Sequence, residues 1–143
     1  MIIFASEDIG LADPMALVVA TSAAHAVEHV GLPEAQLNLS QAAIHLATAP
    51  KSNRAAVAIW SARGDVRDGV VGEVPARLRD AHYSAAESLG HGTEYEYPHD
   101  HARGWVDQEY LPTELAGKHW YVPSERGAEA GVAERMRELR EGP

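Results

Sequence analysis

The 143-residue sequence contains no cysteine, which removes disulfide scaffolds, thiolate metal centres and cysteine nucleophiles together and fits a reducing compartment. It has a single phenylalanine, and no apolar run nears the roughly 20 residues a bilayer-spanning helix requires. The N-terminus lacks a basic region ahead of an apolar one, so nothing there reads as a secretory signal. No G-x-x-x-x-G-K-[ST] loop, no G-x-G-x-x-G after a strand and no G-x-S-x-G elbow occurs. Nucleotide binding by a phosphate-cradling loop and serine-hydrolase chemistry therefore have no anchor in this chain. The expectation is a soluble, cytoplasmic chain with no membrane partner. Its composition is ordinary for a globular protein, with 45% hydrophobic and 23% charged residues, and its length suits one domain.

Positive charge is scarce and localised. The formal charge is −9, and residues 1–50 carry five acids with no lysine or arginine. Residues 51–79 hold six basic residues against three acids, and residues 80–143 hold six against thirteen. Binding phosphates needs concentrated positive charge. The chain as a whole should repel DNA, and only its middle block could touch it. The candidates there are Lys51, Arg54, Arg63 and Arg67. They would contact DNA or, as the ordinary alternative, pair with acids of the flanking blocks within or between subunits.

Helical signals dominate both ends of the chain. Met1 to Ile9 reads as the tail of a helix that starts upstream, because Ile2, Ile3 and Phe4 have nothing local to pack against. A piece of a longer protein is the expectation. Asp13-Pro14 is a good helix start, a carboxylate at the N-cap with proline behind it, and Gly31 is a good stop. Between them Leu17, Ala20, Ala24 and Val27 line one side, with Ala16, Val19, Ala23 and Val30 beside them. A second helix is predicted from Pro33 to about Ala49, with Leu39, Ala42, Ala43 and Leu46 inward and His45 on the polar stripe. A third runs from about Ser52 to Asp68, with Ala55, Ala56, Ile59, Trp60 and Ala62 inward. A short helix over Tyr83–Leu89 and a last one over about 124–141, capped by Ser124, complete the set.

Between these lies Asp80–Pro112, which holds four of the five tyrosines and four of the eight histidines but shows little helical or strand period. A long irregular segment in a compact domain is disordered or deliberately packed. Its rings (Tyr95, Tyr97, Trp105, Tyr110) favour packing. The expected fold is an all-α bundle with this aromatic-rich segment wrapped over it, forming one helical domain over residues 1–143.

Two clusters bear on metal chemistry. His25-Ala26-Val27-Glu28-His29 spells H-x-x-E-H, in which imidazoles one turn apart can share a zinc ion with the glutamate as base. The third ligand cannot be named from spacing, and a solvated or interfacial polar stripe is the ordinary expectation there. His99-Asp100-His101 is a second cluster, for which packing or hydrogen bonding is the simpler role.

Several stretches, in this order, resemble the C-terminal domain of the RarA/MgsA family of AAA+ ATPases. These are the replication-associated recombination proteins related to Werner-helicase-interacting ATPases. The stretches are SEDIGLADP (6–14), LATAPKSN (46–53), VPARLRDAHY (74–83), LGHGTEYEYPHD (89–100), GWVDQEYLP (104–112) and WYVPSERGAE (120–129). The resemblance implies a helical domain similar to the clamp-loader collar, one that assembles the protein as a homotetramer. It implies that ATP and magnesium bind on an upstream module, so that no catalytic or cofactor-binding residue carries over to this chain. It also implies that the whole protein is a DNA-dependent ATPase acting at stalled forks, cytoplasmic and nucleoid-associated. A module that docks replisome partners or single-strand-binding protein is the alternative, and a metal-dependent hydrolase built on His25, Glu28 and His29 is a third reading.

Overall fold

The computed structural model describes residues 1–142, without the side chain of Glu87; Pro143, included in the expected domain span, lies outside the described residues. All regular structure among the described residues is helical. An opening turn, α1 (Ile2–Phe4), continues through a π turn (Ala5–Ile9) and a 3-10 turn (Gly10–Ala12). Then come α2 (Met15–Val30), α3 (Ala35–Thr48), α4 (Arg54–Arg67) and, near the C-terminus, α5 (Glu129–Glu141). By its packing the chain divides into two compact units, residues 1–62 with 120–143 and residues 63–119. The division falls inside α4, a single uninterrupted helix.

The first unit is a helical core with small residues at its centre. Asp13 starts α2 as its spacing implies, its Oδ1 accepting the Met15 N–H at 3.0 Å. The helix ends where Gly31 donates back to the Val27 carbonyl. Ala16, Ala20 and Ala23 face inward from α2, and Ala35, Ala42 and Leu46 from α3. Ala5, Ile9, Ala16, Ala20 and Leu46 form one buried cluster. Methyl groups at these positions let the backbones approach closely, and packing replaces bulk.

Which bulky residues point inward differs from the sequence reading. Leu17 and Val30 on α2 are exposed, as is Ala43 on α3. Ile59 and Trp60, expected inside, are 56% and 51% exposed, and α4 buries no residue fully. Ala55, Ala56 and Ala62 are half-buried as expected, and Val57 and Ala58 join them. His45, assigned to the polar stripe of α3, is half-buried with its Nε2 2.9 Å from Asp13 Oδ2.

Three helix starts also shift. Pro33 lies in a turn and α3 begins at Ala35, whose N–H bonds the Gly31 carbonyl at 2.8 Å. Ser52 precedes α4. Ser124 does not cap α5, which begins five residues later. The cause is tertiary. The Ala128 N–H donates to the Ala12 carbonyl at 2.8 Å, and Gly127, at φ +53, lies so close to Ala12 that a Cβ would meet that carbonyl oxygen and the Pro50 ring. Gly10, at φ +52, makes a similar approach; a Cβ there would lie 2.6 Å from the Ser52 carbonyl oxygen.

The second unit has four 3-10 turns beyond the end of α4: Ala76–Leu78, Glu87–Leu89, Pro98–Asp100 and Thr113–Leu115. The helix expected over Tyr83–Leu89 is a turn followed by the second of these. Among the described residues, only Ala86 and Val106 are buried hydrophobics here. Polar bonds hold the segment instead. Arg79 Nε donates to the Val74 carbonyl at 2.7 Å and its Nη2 reaches Glu73 at 2.7 Å. Arg77 donates to the Glu109 carbonyl, and Lys118 pairs with Asp65 at 2.6 Å. The tyrosines expected to bury themselves do not: Tyr95, Tyr97 and Tyr110 are 42%, 53% and 45% exposed.

Candidate functional site

One buried carboxylate organises the first unit. Glu129 opens α5 and is fully buried. Its oxygens accept from the Ser52 and Ser124 hydroxyls and from Tyr121 Oη at 2.8 Å. Burial is the largest single influence on this carboxyl and opposes its charge. The hydroxyl hydrogen bonds together outweigh it, holding the group below its ordinary value. Tyr121 is pushed up, first by burial and then by the Glu129 charge that its hydroxyl contacts. A carboxylate enclosed by three donors is a poor general base, because the lone pairs that would take a proton are occupied. The arrangement is a structural junction. It ties the segment before α4 to the segment before α5, and Arg126 adds a bond from Nη1 to the Lys51 carbonyl at 3.2 Å.

The basic residues of the middle block have separate fates. Lys51 Nζ donates to the Leu46 and Ala47 carbonyls at 3.0 and 3.3 Å and also to that of Ala49, closing the C-terminus of α3. It sits 5.7 Å from the centre of the Phe4 ring. Arg67 Nε lies 3.3 Å from Asp68 Oδ1 in an exposed pair. Arg54 and Arg63 are exposed and form no salt bridge among the described residues. Helical spacing places Ile59, Trp60, Arg63, Val66 and Arg67 on one face of α4, with Arg54 on the opposite side.

The candidate metal pair is close but incomplete. The His25 and His29 rings meet edge to face with centroids 4.8 Å apart, and Glu28 is exposed beside them. Among the described residues no group of three or more histidines, aspartates and glutamates gathers as a metal site would require. His99 stacks at a tilt on Tyr97, with centroids 5.0 Å apart, and His101 Nε2 lies 3.3 Å from Glu96.

Two further surfaces are exposed. In the first unit, Met15, Val18, Val19 and Ala23 of α2 and Ala42 of α3 wall a shallow groove of about 290 Å³, with Ser22, Asn38 and Gln41 as its polar groups. Leu32, Leu37 and Ile44 are 72%, 72% and 63% exposed. In the second unit, Gln108 donates to the Glu96 carbonyl at 2.7 Å and to Tyr110 Oη at 2.9 Å, drawing two irregular segments side by side. Glu94, at φ +63, holds a backbone conformation rare outside glycine just before Tyr95.

Sequence reasoning missed Glu129, which looked like one acid among the thirteen of residues 80–143. The available signal was that Ser52 and Glu129 both lie within stretches that resemble one family.

A family model described as MgsA AAA+ ATPase C terminal matches residues 1–140. An uncharacterized AAA domain-containing protein of Mycobacterium tuberculosis is 51% identical over 140 residues, which cover 98% of this chain and 31% of that protein. The replication-associated recombination protein A of Bacillus subtilis is 46% identical over 127 residues, 89% of this chain and 30% of the relative. That of Escherichia coli K12 is 39% identical over 138 residues, 96% and 31% respectively. The chain thus spans about a third of the length of these relatives.

Proposed function

This chain belongs to the MgsA AAA+ ATPase C-terminal family, and from that premise we propose that it is the assembly domain of a RarA-like ATPase acting in replication-associated recombination. Its role is mechanical. It holds several ATPase modules in fixed geometry, as a tetramer, so that nucleotide turnover in one is felt by the others and by DNA. ATP and magnesium belong to the module that the longer relatives carry beyond this domain, and the isolated chain does not hydrolyse ATP. The intact protein works in the cytoplasm, near the nucleoid.

The observation that carries this reading is the apolar surface of the first unit. Leu32, Leu37 and Ile44 project where water must order around them, and their burial against another copy would recover roughly 2 kcal/mol for each side chain covered. No helix of the described residues is long and apolar enough to cross a membrane, so a bilayer-spanning helix does not account for this surface. Light scattering on the 143-residue chain tests the proposal. Four chains are expected; a monomer in the tens of micromolar would favour a docking module for replisome proteins instead.

A further inference from the structure

The two remaining basic residues of the middle block, Arg77 and Arg79, line one cavity of about 380 Å³ that lies wholly within the second unit. Ala81 and Gly92 bring its walls together. A Cβ on Gly92 would lie 2.5 Å from that of Ala81, and the Gly92 N–H donates to the Ala76 carbonyl at 2.9 Å. Tyr95 lines the cavity directly after Glu94 turns the chain at φ +63, and its side chain is 42% exposed. Asp80 and His82 lie on the same wall.

Arg77 is the unusual member. It is half-buried, its Nη2 donates to the Glu109 carbonyl, and it forms no salt bridge among the described residues. Its Nε is buried with no hydrogen-bond partner there. A half-buried charge that meets only a neutral carbonyl is costly unless something supplies the counter-charge. Arg79 is held at one end, its Nε donating to the Val74 carbonyl and its Nη2 to Glu73, whose side chain is 88% exposed. The one acid among the lining residues is Asp80, whose Oδ1 accepts the His82 N–H at 2.9 Å and lies 2.8 Å from His82 Nδ1. Those bonds hold its carboxyl below the ordinary value. The lining is therefore mixed in charge, with two guanidinium groups, one engaged carboxylate and one tyrosine ring.

We propose that this cavity binds a nucleoside monophosphate unit, its phosphate on Arg77 and Arg79 and its base against the Tyr95 ring. The site goes beyond the assembly reading and does not depend on it, and it is separate from the ATP site assigned to the other module. Guanidinium groups present a planar fork that matches phosphate oxygens. A tyrosine face stacks on any base. Asp80 only accepts, which suits the amino or hydroxyl groups of a base or sugar and disfavours a bare anion. A paired duplex cannot lay a base on a ring, and a chain of formal charge −9 lacks the basic track that duplex binding uses. A free nucleotide and one residue of a single strand share the chemistry proposed.

Nuclear magnetic resonance on the isotope-labelled 143-residue chain tests this, with thymidine monophosphate, short oligo-thymidylate, a short duplex and inorganic phosphate as probes. Amide shifts confined to residues 76–82 and 92–95 are expected with a thymidine probe. If only the oligonucleotide produces them, the source is a single strand; if the mononucleotide does so as readily, it is a free nucleotide. No such shifts with either thymidine probe would overturn the proposal. So would equal shifts with inorganic phosphate or with the duplex, since the base would then go unread. Tyr95→Ala should weaken binding between about fivefold and a hundredfold, and Tyr95→Phe, which keeps the ring, by less than about twofold. Equal losses in these two variants would refute stacking. Arg77 also holds the Glu109 carbonyl, so Arg79→Ala is made beside Arg77→Ala, with circular dichroism as the check on folding. Each should lower affinity at least about tenfold, and unchanged affinity in Arg79→Ala with its helix signal intact would overturn the phosphate assignment.

Discussion

The two units reach order by different means. In the first, alanines at helical spacing let backbones close on one another, and a buried carboxylate joins segments distant in sequence. In the second, two small hydrophobics are buried and arginine-to-carbonyl bonds carry much of the rest. Hydrophobic burial is cooperative, because each buried residue touches many others, whereas an exposed hydrogen bond contributes about 1 kcal/mol and competes with water. The first unit should therefore unfold as one block and the second should open locally.

The sharpest way to break this contrast is Gly127→Val. A side chain at φ +53 is strained, and here it would also meet the Ala12 carbonyl and the Pro50 ring. The expected loss is upward of about 4 kcal/mol, read by urea unfolding followed in the far ultraviolet. Near wild-type stability would mean that the α5 junction does not hold the first unit together.

Removing the buried acceptor comes next. Glu129→Ala leaves the Ser52, Ser124 and Tyr121 hydroxyls without their partner and should cost about 3 kcal/mol. Hydrogen exchange should report faster exchange at Ser52 and along the start of α5, with residues 63–119 little changed. Equal acceleration in both units would refute separate cooperative blocks.

The pH dependence sharpens the same point. Glu129 has its folded value below the ordinary 4.5, so its contribution is fully present above that value and is lost as pH falls through the depressed one. Tyr121 has its folded value raised above the ordinary 10.0, so its contribution is present below that value and is lost as pH rises beyond it. Acid should loosen the first unit in the wild type and less so in Glu129→Gln, which titrates nothing at that position. Identical acid midpoints for the two proteins would contradict the assignment.

The smallest effect is expected in the second unit. Val106→Ala removes one of its two buried hydrophobics and should cost about 1 kcal/mol, felt as local exchange between residues 63 and 119. A global loss of helix signal on this substitution would show the units to be one cooperative body.

Much of the helical architecture was legible because the signals that bound helices are local. The Asp13 carboxylate and Gly31 bracket α2 from within a turn of its ends. The placement of side chains was less legible. On alanine-rich helices the apolar face is almost continuous, so periodicity cannot say whether Leu17 or Ala16 turns inward, and the closer-fitting methyl is the one buried. The basic set was read as four equivalent charges. Lys51 proved to be a helix stop because its ammonium reaches three carbonyls at the end of α3, a role set by distance rather than charge.

The order of its stretches and the caps on its helices determined, from sequence alone, that this chain is all-helical and a member of its family. Both rest on residues that are neighbours along the backbone, where a preference acts without the rest of the fold. The tertiary structure alone decided that Ile59 and Trp60 look outward and that Glu129 is buried. A carboxylate can leave water only where donors meet it, and the Ser52 hydroxyl that does so comes from 77 positions away.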